Sequence, residues 1–432
     1  MTSSGSAALA ALLDVPGLPA VLRALPEARL VGGCVRDALA GRAVADIDLA
    51  TPDPPPEAAA ALGAAGLRVI PTGLAHGTLT VLSGAGRFEV TTLRRDVATD
   101  GRHAVVAWTT DWREDAARRD FTINAMSLDR AGTVFDPFDG RADLAAGRVR
   151  FVGRAAARID EDALRVLRFF RFQARYGVGE PDGEAVAAIA AATGDLARLS
   201  GERVWGELRR ILAAPDPAGA AGLMERLGVL GAVLPGGRAA GLARLVRAGG
   251  PADEVLRLAA LLGGGAADPL PDVDAVAVRL RLSGAERERL ALLLAPEGPA
   301  PGEDDAGLRR WLAAVPAEVL TGRSWLAGGD AAGWAGLRGR LAAAGRPVFP
   351  LEGRDALACG VAPGPEVGRL LREVRAWWLA GGCVAGREAC LGRLRVVAAG
   401  SKGQGSALDP LGAGAPRPAH IRKLRKDAVT PF

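Results

Sequence analysis

Apolar and polar residues follow two different patterns along the chain. Between Leu30 and about Phe138, short apolar runs such as LVGGC, GTLTVL and RFEVTTL alternate with glycine turns, which is typical of β-strands. After about Arg150 the strand pattern stops, and apolar residues recur at spacings of three and four up to about Val397, which is typical of helices. The pattern therefore predicts an α+β domain followed by an all-α region.

The same pattern divides the 432 residues into four segments. An α+β domain over residues 1–150 precedes a helical region over 151–235 and a second helical region over 236–400. Breakers such as APDPAG and GGGAADPLPD separate the short helical groups. The Gly-, Pro- and Ser-rich composition of residues 401–432 predicts a disordered tail.

Composition narrows the class of protein only slightly. Hydrophobic residues make up 49% of the chain and aromatic residues 4%, so we expect cores built mainly from Ala, Leu and Val. The net charge of +5 permits a polyanionic partner without requiring one. The four cysteines form no CxxC pair, and the sequence lacks an uninterrupted apolar run of about 20 residues. We therefore expect a cytoplasmic protein with reduced thiols and no membrane partner.

The first candidate site lies in the segment LVGGCVRDALAGRAVADIDLATP. Two glycines follow an apolar strand and precede a helix, an arrangement that lets backbone amides approach a phosphate group. Arg36, near the start of that helix, could bind phosphate oxygens through paired hydrogen bonds. The alternative is that the glycine pair forms only a tight turn.

Two aspartates follow in the same segment. Asp46 and Asp48 are two residues apart in a predicted strand, so both carboxylates should project from one face. Like charges held together need a cation, and two Mg²⁺ ions can activate a 3′-hydroxyl and stabilise a leaving pyrophosphate. The alternative is that this Asp-x-Asp pattern occurs by chance and has no functional role. Glu89, on a neighbouring predicted strand, is either a third carboxylate of this site or a solvated strand charge.

The second candidate site has two parts. In RRDFTINAM, Arg118 and Arg119 could grip a triphosphate, while Asp120 and Asn124 could cap a helix. The segment RIDEDALRVLRFFRFQARYG predicts one strong helix, on which Asp162 and Arg165 are neighbours three residues apart. A carboxylate accepts hydrogen bonds and a guanidinium donates them, so this pair could read the edge of cytosine or adenine. The alternative is an ordinary intrahelical ion pair.

Taken together, these segments resemble the class II CCA-adding tRNA nucleotidyltransferases and the closely related bacterial poly(A) polymerases. The matching segments occur in the family's order across about residues 28–235: GGCVRDALAG, DIDLAT, FEVTTLRRD, RRDFTINAM, FDPFDGRADL, EDALRVLRFFRF and LSGERVWGEL. A weaker match, LEGRDALACGVAPGPEVGRLL, looks like the family's C-terminal tail domain.

The resemblance implies a polymerase-β-like nucleotidyltransferase head followed by an all-α neck, body and tail. It implies addition of CMP and AMP, from CTP and ATP, to the tRNA 3′ end with Mg²⁺ as cofactor, and it leaves protein partners unknown. Asp46 and Asp48 match catalytic metal ligands, and the nucleotide-binding positions are Gly33, Arg36, Arg119, Asp162, Arg165, Arg168 and Arg171. A poly(A) polymerase, an enzyme adding only CC or only A, and a non-catalytic RNA-binding module remain alternatives.

Overall fold

The computed structural model describes residues 3–73, 77–84, 86–99, 104–263, 272–329 and 331–403. The tail predicted to be disordered, residues 401–432, lies almost entirely outside the described residues. The chain divides into two compact units: residues 1–303 with 315–344, and residues 304–314 with 345–432.

A seven-stranded mixed sheet forms the first part of the first unit, with strand order β3-β4-β5-β2-β1-β8-β9. Strands β2 and β5 are parallel, with Asp48 opposite Glu89, and the other neighbouring strands are antiparallel. A separate hairpin consists of β6 and β7. The strands are β1 Arg29–Val31, β2 Asp48–Thr51, β3 Arg68–Gly73, β4 Thr78–Ser83, β5 Gly86–Thr92, β6 Arg94–Thr99, β7 Ala104–Trp108, β8 Ser127–Leu128 and β9 Val134–Phe135.

Alternation along the strands gives the sheet two different faces. On one face, Leu30, Leu49 and Val90 join the main core with apolar residues of the covering helices. On the other face, Val31 and Ala50 belong to a small separate cluster. Because side chains alternate, Asp48 shares this second face with Ala50. The helices around the sheet are α1 Ser3–Leu13, α2 Leu18–Ala24, α3 Gly33–Leu39, α4 Pro55–Ala64, α5 Trp112–Ala117 and α6 Gly140–Ala145.

The remainder of the first unit is helical, as the 3- and 4-residue periodicity predicted. Helix α8 packs against α10 and α11, and its Phe169 and Phe172 contact Phe121, which follows the predicted RRD motif. The helices are α7 Ala155–Glu161, α8 Leu164–Tyr176, α9 Gly183–Ala192, α10 Gly201–Leu212, α11 Ala218–Arg226, α12 Val229–Val233, α13 Ala239–Arg247, α14 Glu254–Leu261, α15 Val273–Leu280, α16 Gly284–Leu294, α18 Ala317–Gly328 and α19 Ala332–Ala343.

The second unit has its own apolar core. Leu370, Val374 and Trp378 of one long helix pack with Cys390 and Leu394 of the next. Its helices are α17 Asp305–Ala314, α20 Gly353–Ala358, α21 Pro365–Ala380 and α22 Arg387–Gly403.

Among the described residues, no single helix has the length and apolar composition needed to cross a membrane. The pair Ala7–Leu13 and Leu18–Ala24, bent by 74°, passes by length and composition alone. Leu12 and Leu18 of this pair are buried in the core beside the sheet.

Candidate active site

A cleft of about 880 Å³ lies in the first unit, between α3, the segment after α5, α8 and α10. It brings together residues that are far apart in the sequence. Of the predicted site residues, it is lined by Gly33, Arg36, Asp48, Arg119, Asp162, Arg165, Arg168 and Arg171. Asp46 does not line it but lies two residues before Asp48.

The acidic side of the cleft is formed at the start of β2. Only Asp48 belongs to the strand; Asp46 precedes it, so the expectation that both aspartates lie within a strand is wrong. Partial desolvation raises the pKa of Asp48, and the carboxylates of Glu89 and Asp46 raise it further, whereas Arg119 lowers it. Three carboxylates therefore lie close enough to repel one another, and a cation would relieve that repulsion.

The donor set fits a hard cation, since it consists of carboxylate oxygens. In the described part of the chain, no group of three or more His, Cys, Asp or Glu side chains is arranged to hold a metal ion. Glu89 lies opposite Asp48 where β2 pairs with β5, is exposed, and forms an ion pair with Arg87 at 3.4 Å. Asp46 and Asp48 would supply two ligands, and water or a substrate phosphate would have to supply the others.

Arg36 is buried and held by protein groups on several sides. Its Nη1 donates to Asn124 Oδ1 at 2.5 Å, and its Nε and Nη2 donate to the Asp37 carboxylate at 3.0–3.1 Å. Its guanidinium also lies 5.1 Å and 4.6 Å from the ring centres of Phe172 and Tyr176. Arg36 therefore links α3 to α8, a structural role that its predicted phosphate contact did not include.

Asp115, which the sequence interpretation missed, orients both arginines of the RRD motif. Its Oδ1 accepts from Arg118 Nη2 at 2.7 Å, and its Oδ2 accepts from Arg119 Nη2 at 3.2 Å. The carboxylate is buried, but these two arginines hold its pKa below the ordinary value. Its spacing of three and four residues before them could have indicated this pairing, because such residues are neighbours on a helix.

Gly32 gives Arg119 room beside the cleft. Gly32 has φ 71°, a conformation that favours glycine, and a Cβ there would lie 2.9 Å from Arg119 Nη1. The glycine before α3 thus serves a close approach by a side chain as well as a turn.

Asp120 and Asn124 form the floor of the cleft. Asp120 Oδ1 accepts from Asn124 Nδ2 at 2.9 Å, and its Oδ2 accepts from Arg168 Nε at 2.7 Å. Although burial acts in the opposite direction, Arg168 and Asn124 lower the pKa of Asp120. Since Asn124 also accepts from Arg36, hydrogen bonds run without interruption from α8 through this floor to α3.

The predicted base-reading helix is interrupted, so the expectation of one continuous helix is wrong. Helix α7 ends at Glu161 and α8 begins at Leu164, with Asp162 in extended conformation between them. Asp162 Oδ1 accepts from the Leu164 amide at 3.0 Å, and its Oδ2 accepts from Arg203 Nη2 at 2.7 Å. Arg165 instead pairs with Glu161 at 2.5 Å. Asp162 and Arg165 still line one cleft, but they are not an intrahelical pair.

Two partners from α10 complete the site. Arg203 holds Asp162, and the buried Glu207 lies 3.0 Å from Arg171 Nε and 3.3 Å from Arg210 Nη1. Burial lowers the pKa of Arg171 to about 10, which Glu207 counteracts and Arg168 reinforces. The segment LSGERVWGEL contains Arg203 and Glu207, yet its sequence alone gave no signal for these roles.

Comparisons with known proteins agree with this geometry. The family model described as "Poly A polymerase head domain" matches residues 28–150, and "Probable RNA and SrmB- binding site of polymerase A" matches residues 180–240. The mouse "CCA tRNA nucleotidyltransferase 1, mitochondrial" is 37% identical over 385 residues, covering 82% of each chain. The CCA-adding enzyme of Streptococcus pyogenes serotype M2 is 40% identical over 203 residues, which are 46% of this chain and 49% of that protein.

Solved structures give the same result at the level of the fold. The Bacillus stearothermophilus CCA-adding enzyme, solved in complex with CTP, has a TM-score of 0.69 and 26% identity, and the match covers 89% of this chain and 97% of that chain.

The mixed sheet, the aspartates at the start of β2 and the arginine-lined cleft are typical of a nucleotidyltransferase. This is also the class of enzyme to which the relatives belong. With 37% identity over 82% of the mouse protein, the chain belongs to the CCA tRNA nucleotidyltransferase family, which confirms the resemblance noted in its sequence. The predicted fold class, an α+β head followed by helices, is likewise confirmed.

Proposed function

We propose that this protein adds CMP and AMP, from CTP and ATP, to the 3′ end of tRNA. The observation that carries the proposal is that a single cleft contains both proposed functions. Asp48 and Arg119, the proposed triphosphate contact, line it together with Asp162 and Arg165, the proposed base-reading pair. The mouse relative is named for CCA addition to tRNA, and the B. stearothermophilus relative was solved with CTP. Both names support this reaction and these substrates.

The reaction is an in-line displacement at the α-phosphate. The oxygen of the RNA 3′-hydroxyl loses its proton to solvent and forms a bond to the α-phosphorus. The bond from the α-phosphorus to the oxygen that bridges it to the β-phosphorus breaks, and pyrophosphate leaves. Asp46 and Asp48 would hold Mg²⁺, which when bound activates the hydroxyl and stabilises the leaving group. Arg119, kept in place by Asp115 on the same side as Asp48, offers positive charge to the triphosphate. The contribution of the chain is mainly positioning and charge stabilisation.

Nucleotide choice would depend on Asp162 and Arg165. A carboxylate has about four lone-pair sites, and the Leu164 amide and Arg203 use two of those of Asp162. The remaining sites can accept the amino group of cytosine or adenine, while Arg165 donates to ring acceptors. Guanine and uracil do not present this pattern.

Arg168 and Arg171 lie on the next turns of α8, beyond the proposed base-reading residues Asp162 and Arg165. Each is paired with a buried carboxylate, Asp120 or Glu207, and both line the cleft. We propose that they fix the shape of the nucleotide pocket and complete its positive lining, together with Gly33 and Arg36.

The segment roles extend the same proposal. Residues 1–150 would form the catalytic head, 151–235 the neck with the base-reading segment, and 236–400 the tRNA-binding body and tail. We place the protein in the cytoplasm, a reducing compartment, because all four cysteines are free. Imaging of a fluorescent fusion tests that location.

The decisive experiment is nucleotide addition in vitro. Purified protein and Mg²⁺ are incubated with tRNA transcripts that end before CCA, after CC, or after CCA, with labelled CTP and ATP supplied separately and together. We expect addition that stops at CCA and ceases with EDTA. An unbounded A tail without use of CTP would identify a poly(A) polymerase, addition of only CC or only A a partial enzyme, and no incorporation an RNA-binding module.

A further inference from the structure

A second groove, of about 540 Å³, adjoins the nucleotide cleft. The two share Arg175 and Tyr176 at the C-terminal end of α8, so the groove continues the cleft. Its other lining residues include Arg42, after α3, and Arg141 of α6. Within the described part of the chain, every charged residue that lines this groove is an arginine.

The arginines of the groove differ from those of the cleft in their partners. In the cleft, Arg168 and Arg171 each face a buried carboxylate. In the groove, Arg42 Nη2 donates to the carbonyl oxygen of Arg175 at 2.7 Å. Among the described residues, Arg42, Arg141 and Arg175 form no ion pair, and all three are exposed. Within the described residues, these three arginines are therefore not neutralised by an ion pair, and the nearby Asp37 carboxylate is already paired with Arg36.

Tyr176 gives the groove a fixed aromatic wall. Its hydroxyl donates to the Asp37 carboxylate, and the side chain is 7% exposed where it lines the groove. The guanidinium carbons of Arg42 and Arg175 lie 4.9 Å and 5.7 Å from the ring centre. Beside it, Val178 is 72% exposed, and its amide donates to the Gly147 carbonyl oxygen at 2.8 Å. The groove thus combines arginine, an aromatic ring and an apolar shoulder on a preformed surface.

We propose that this groove binds the phosphate backbone of the RNA substrate next to its reacting 3′ end. Exposed arginines along an open groove suit an extended polyanion, and a neighbouring aromatic ring and apolar side chain suit sugars and bases. The nucleotide already has its own cleft, and the RNA strand must reach that same cleft. The inference rests on the proposed function, because it assigns a partner to a surface continuous with the active site.

The test measures tRNA affinity as a function of salt. Arg42→Gln, Arg141→Gln and the double variant are titrated with a labelled tRNA transcript lacking CCA, without nucleotide, by fluorescence anisotropy. We expect several-fold weaker binding at low salt, and the magnitude of the slope of log affinity against log salt should fall by about 0.7–0.9 per arginine removed. Arg42→Lys should restore most of the slope because it keeps the charge. The KM for CTP should not change, since neither residue lines the nucleotide cleft.

Arg23→Gln is the matched control, because Arg23 is an exposed arginine on α2 outside both surfaces. An unchanged slope in the double variant overturns the inference. If the slope is unchanged and the double variant is also less inhibited by inorganic pyrophosphate, the groove would instead bind the released product. If the wild-type chain adds no nucleotide but the double variant still reduces the salt dependence of tRNA binding, the proposed function fails while RNA binding by the groove stands.

Discussion

At the scale of residues, several arginines of the cleft are paired with carboxylates. Arg119 is held by Asp115, and Arg168 by Asp120. A guanidinium held by a carboxylate loses little further conformational freedom when it meets a phosphate. Burying an arginine without such a partner would also be costly. The cleft can therefore be strongly basic and still folded before any substrate arrives.

Asp48 is the residue on which catalysis should depend most. We expect Asp48→Ala, and likewise Asp46→Ala, to reduce kcat for nucleotide addition by at least roughly 10²–10³-fold, because a preorganised charge is removed from the reacting centre. The affinity for tRNA, measured separately, should change little. A variant with full activity would remove Asp48 from the catalytic role.

Substitution of Gly32 should impair nucleotide binding as well as stability, because Gly32 lies close to Arg119 in addition to forming a turn. In Gly32→Ala the new Cβ would displace the end of Arg119, so we expect a higher KM for CTP, and the backbone conformation, φ 71° and ψ −120°, adds a stability loss of about 1–3 kcal/mol. Gly41→Ala is the matched control: Gly41 also has positive φ, 66°, but nothing lies within 4 Å of its Cβ position. Equal KM values for the two variants would contradict the explanation. Steady-state kinetics and urea unfolding provide the two measurements.

Asp120 should make the stability of the protein depend on pH in a defined way. Its folded-state pKa is lowered, so its contribution to the free energy of unfolding is present above the unfolded pKa of about 4 and is lost as pH falls through the folded pKa. At neutral pH we expect Asp120→Asn to cost about 2–3 kcal/mol, because a charged hydrogen bond to Arg168 is lost.

Below about pH 4 the difference between wild type and Asp120→Asn should shrink towards zero. Urea titrations at several pH values measure it. The exposed Asp14 supplies a control, since Asp14→Asn should cost less than about 0.5 kcal/mol at any pH. A difference for Asp120→Asn that stays constant down to the lowest pH would contradict the assigned pairing.

At the scale of elements, the break between α7 and α8 determines where Asp162, the proposed base-reading residue, lies. The break places Asp162 off the helix, within reach of Arg203 from α10. Under the proposed function, selection of the base would thus depend on three elements, namely the α7–α8 break, α8 and α10, rather than on one helical face.

This arrangement predicts that Arg203 acts on specificity through Asp162. We expect Asp162→Ala to lower discrimination of CTP and ATP against UTP and GTP by about 10–100-fold, the equivalent of one charged hydrogen bond. Arg203→Ala should shift it in the same direction by a smaller factor, because Asp162 stays but loses its orientation. Competition between labelled nucleotides measures the ratio. Unchanged discrimination in Asp162→Ala would exclude the base-reading role.

At the scale of the whole molecule, the nucleotide cleft and the core of the second unit are formed by different described residues. Every residue that lines the nucleotide cleft belongs to the first unit, whereas Trp378 lies in the core of the second. Trp378 is 2% exposed, contacts Phe349 edge-on at 5.5 Å, and donates from Nε1 to the Ala385 carbonyl oxygen at 3.1 Å.

We expect Trp378→Ala to destabilise the second unit by about 3–5 kcal/mol, since a large buried side chain is removed. Calorimetry should show a lowered transition, while isothermal titration should show unchanged CTP affinity. Trp377→Ala, at a neighbouring residue that is 37% exposed, is the control and should cost much less. A parallel loss of CTP affinity in Trp378→Ala would mean that the two units are energetically coupled.

The order of elements could be read from the sequence because the periods of two and of about 3.6 residues are local properties of the chain. The same holds for the glycine turn, for Asp48 and for the arginines of α8, which short motifs predicted and which all line one cleft. The sequence predicted that Asp46 lies within the strand, whereas β2 begins two residues later, at Asp48. The exact start of β2 depends on its pairing with β5, which the local pattern does not contain.

Only the tertiary structure decided which charge meets which. Arg36 and Asn124 are 88 residues apart and Asp162 and Arg203 are 41 apart, yet each pair forms a short hydrogen bond. The local pattern offered Arg165 as the partner of Asp162, and the packing of α8 against α10 replaced it with Arg203. Sequence by itself thus determined the fold class, the family and site residues of which all but Asp46 line one cleft. Their pairings followed from packing, because a side chain's partner is chosen by distance in space and the chain's local periodicity carries no information about it.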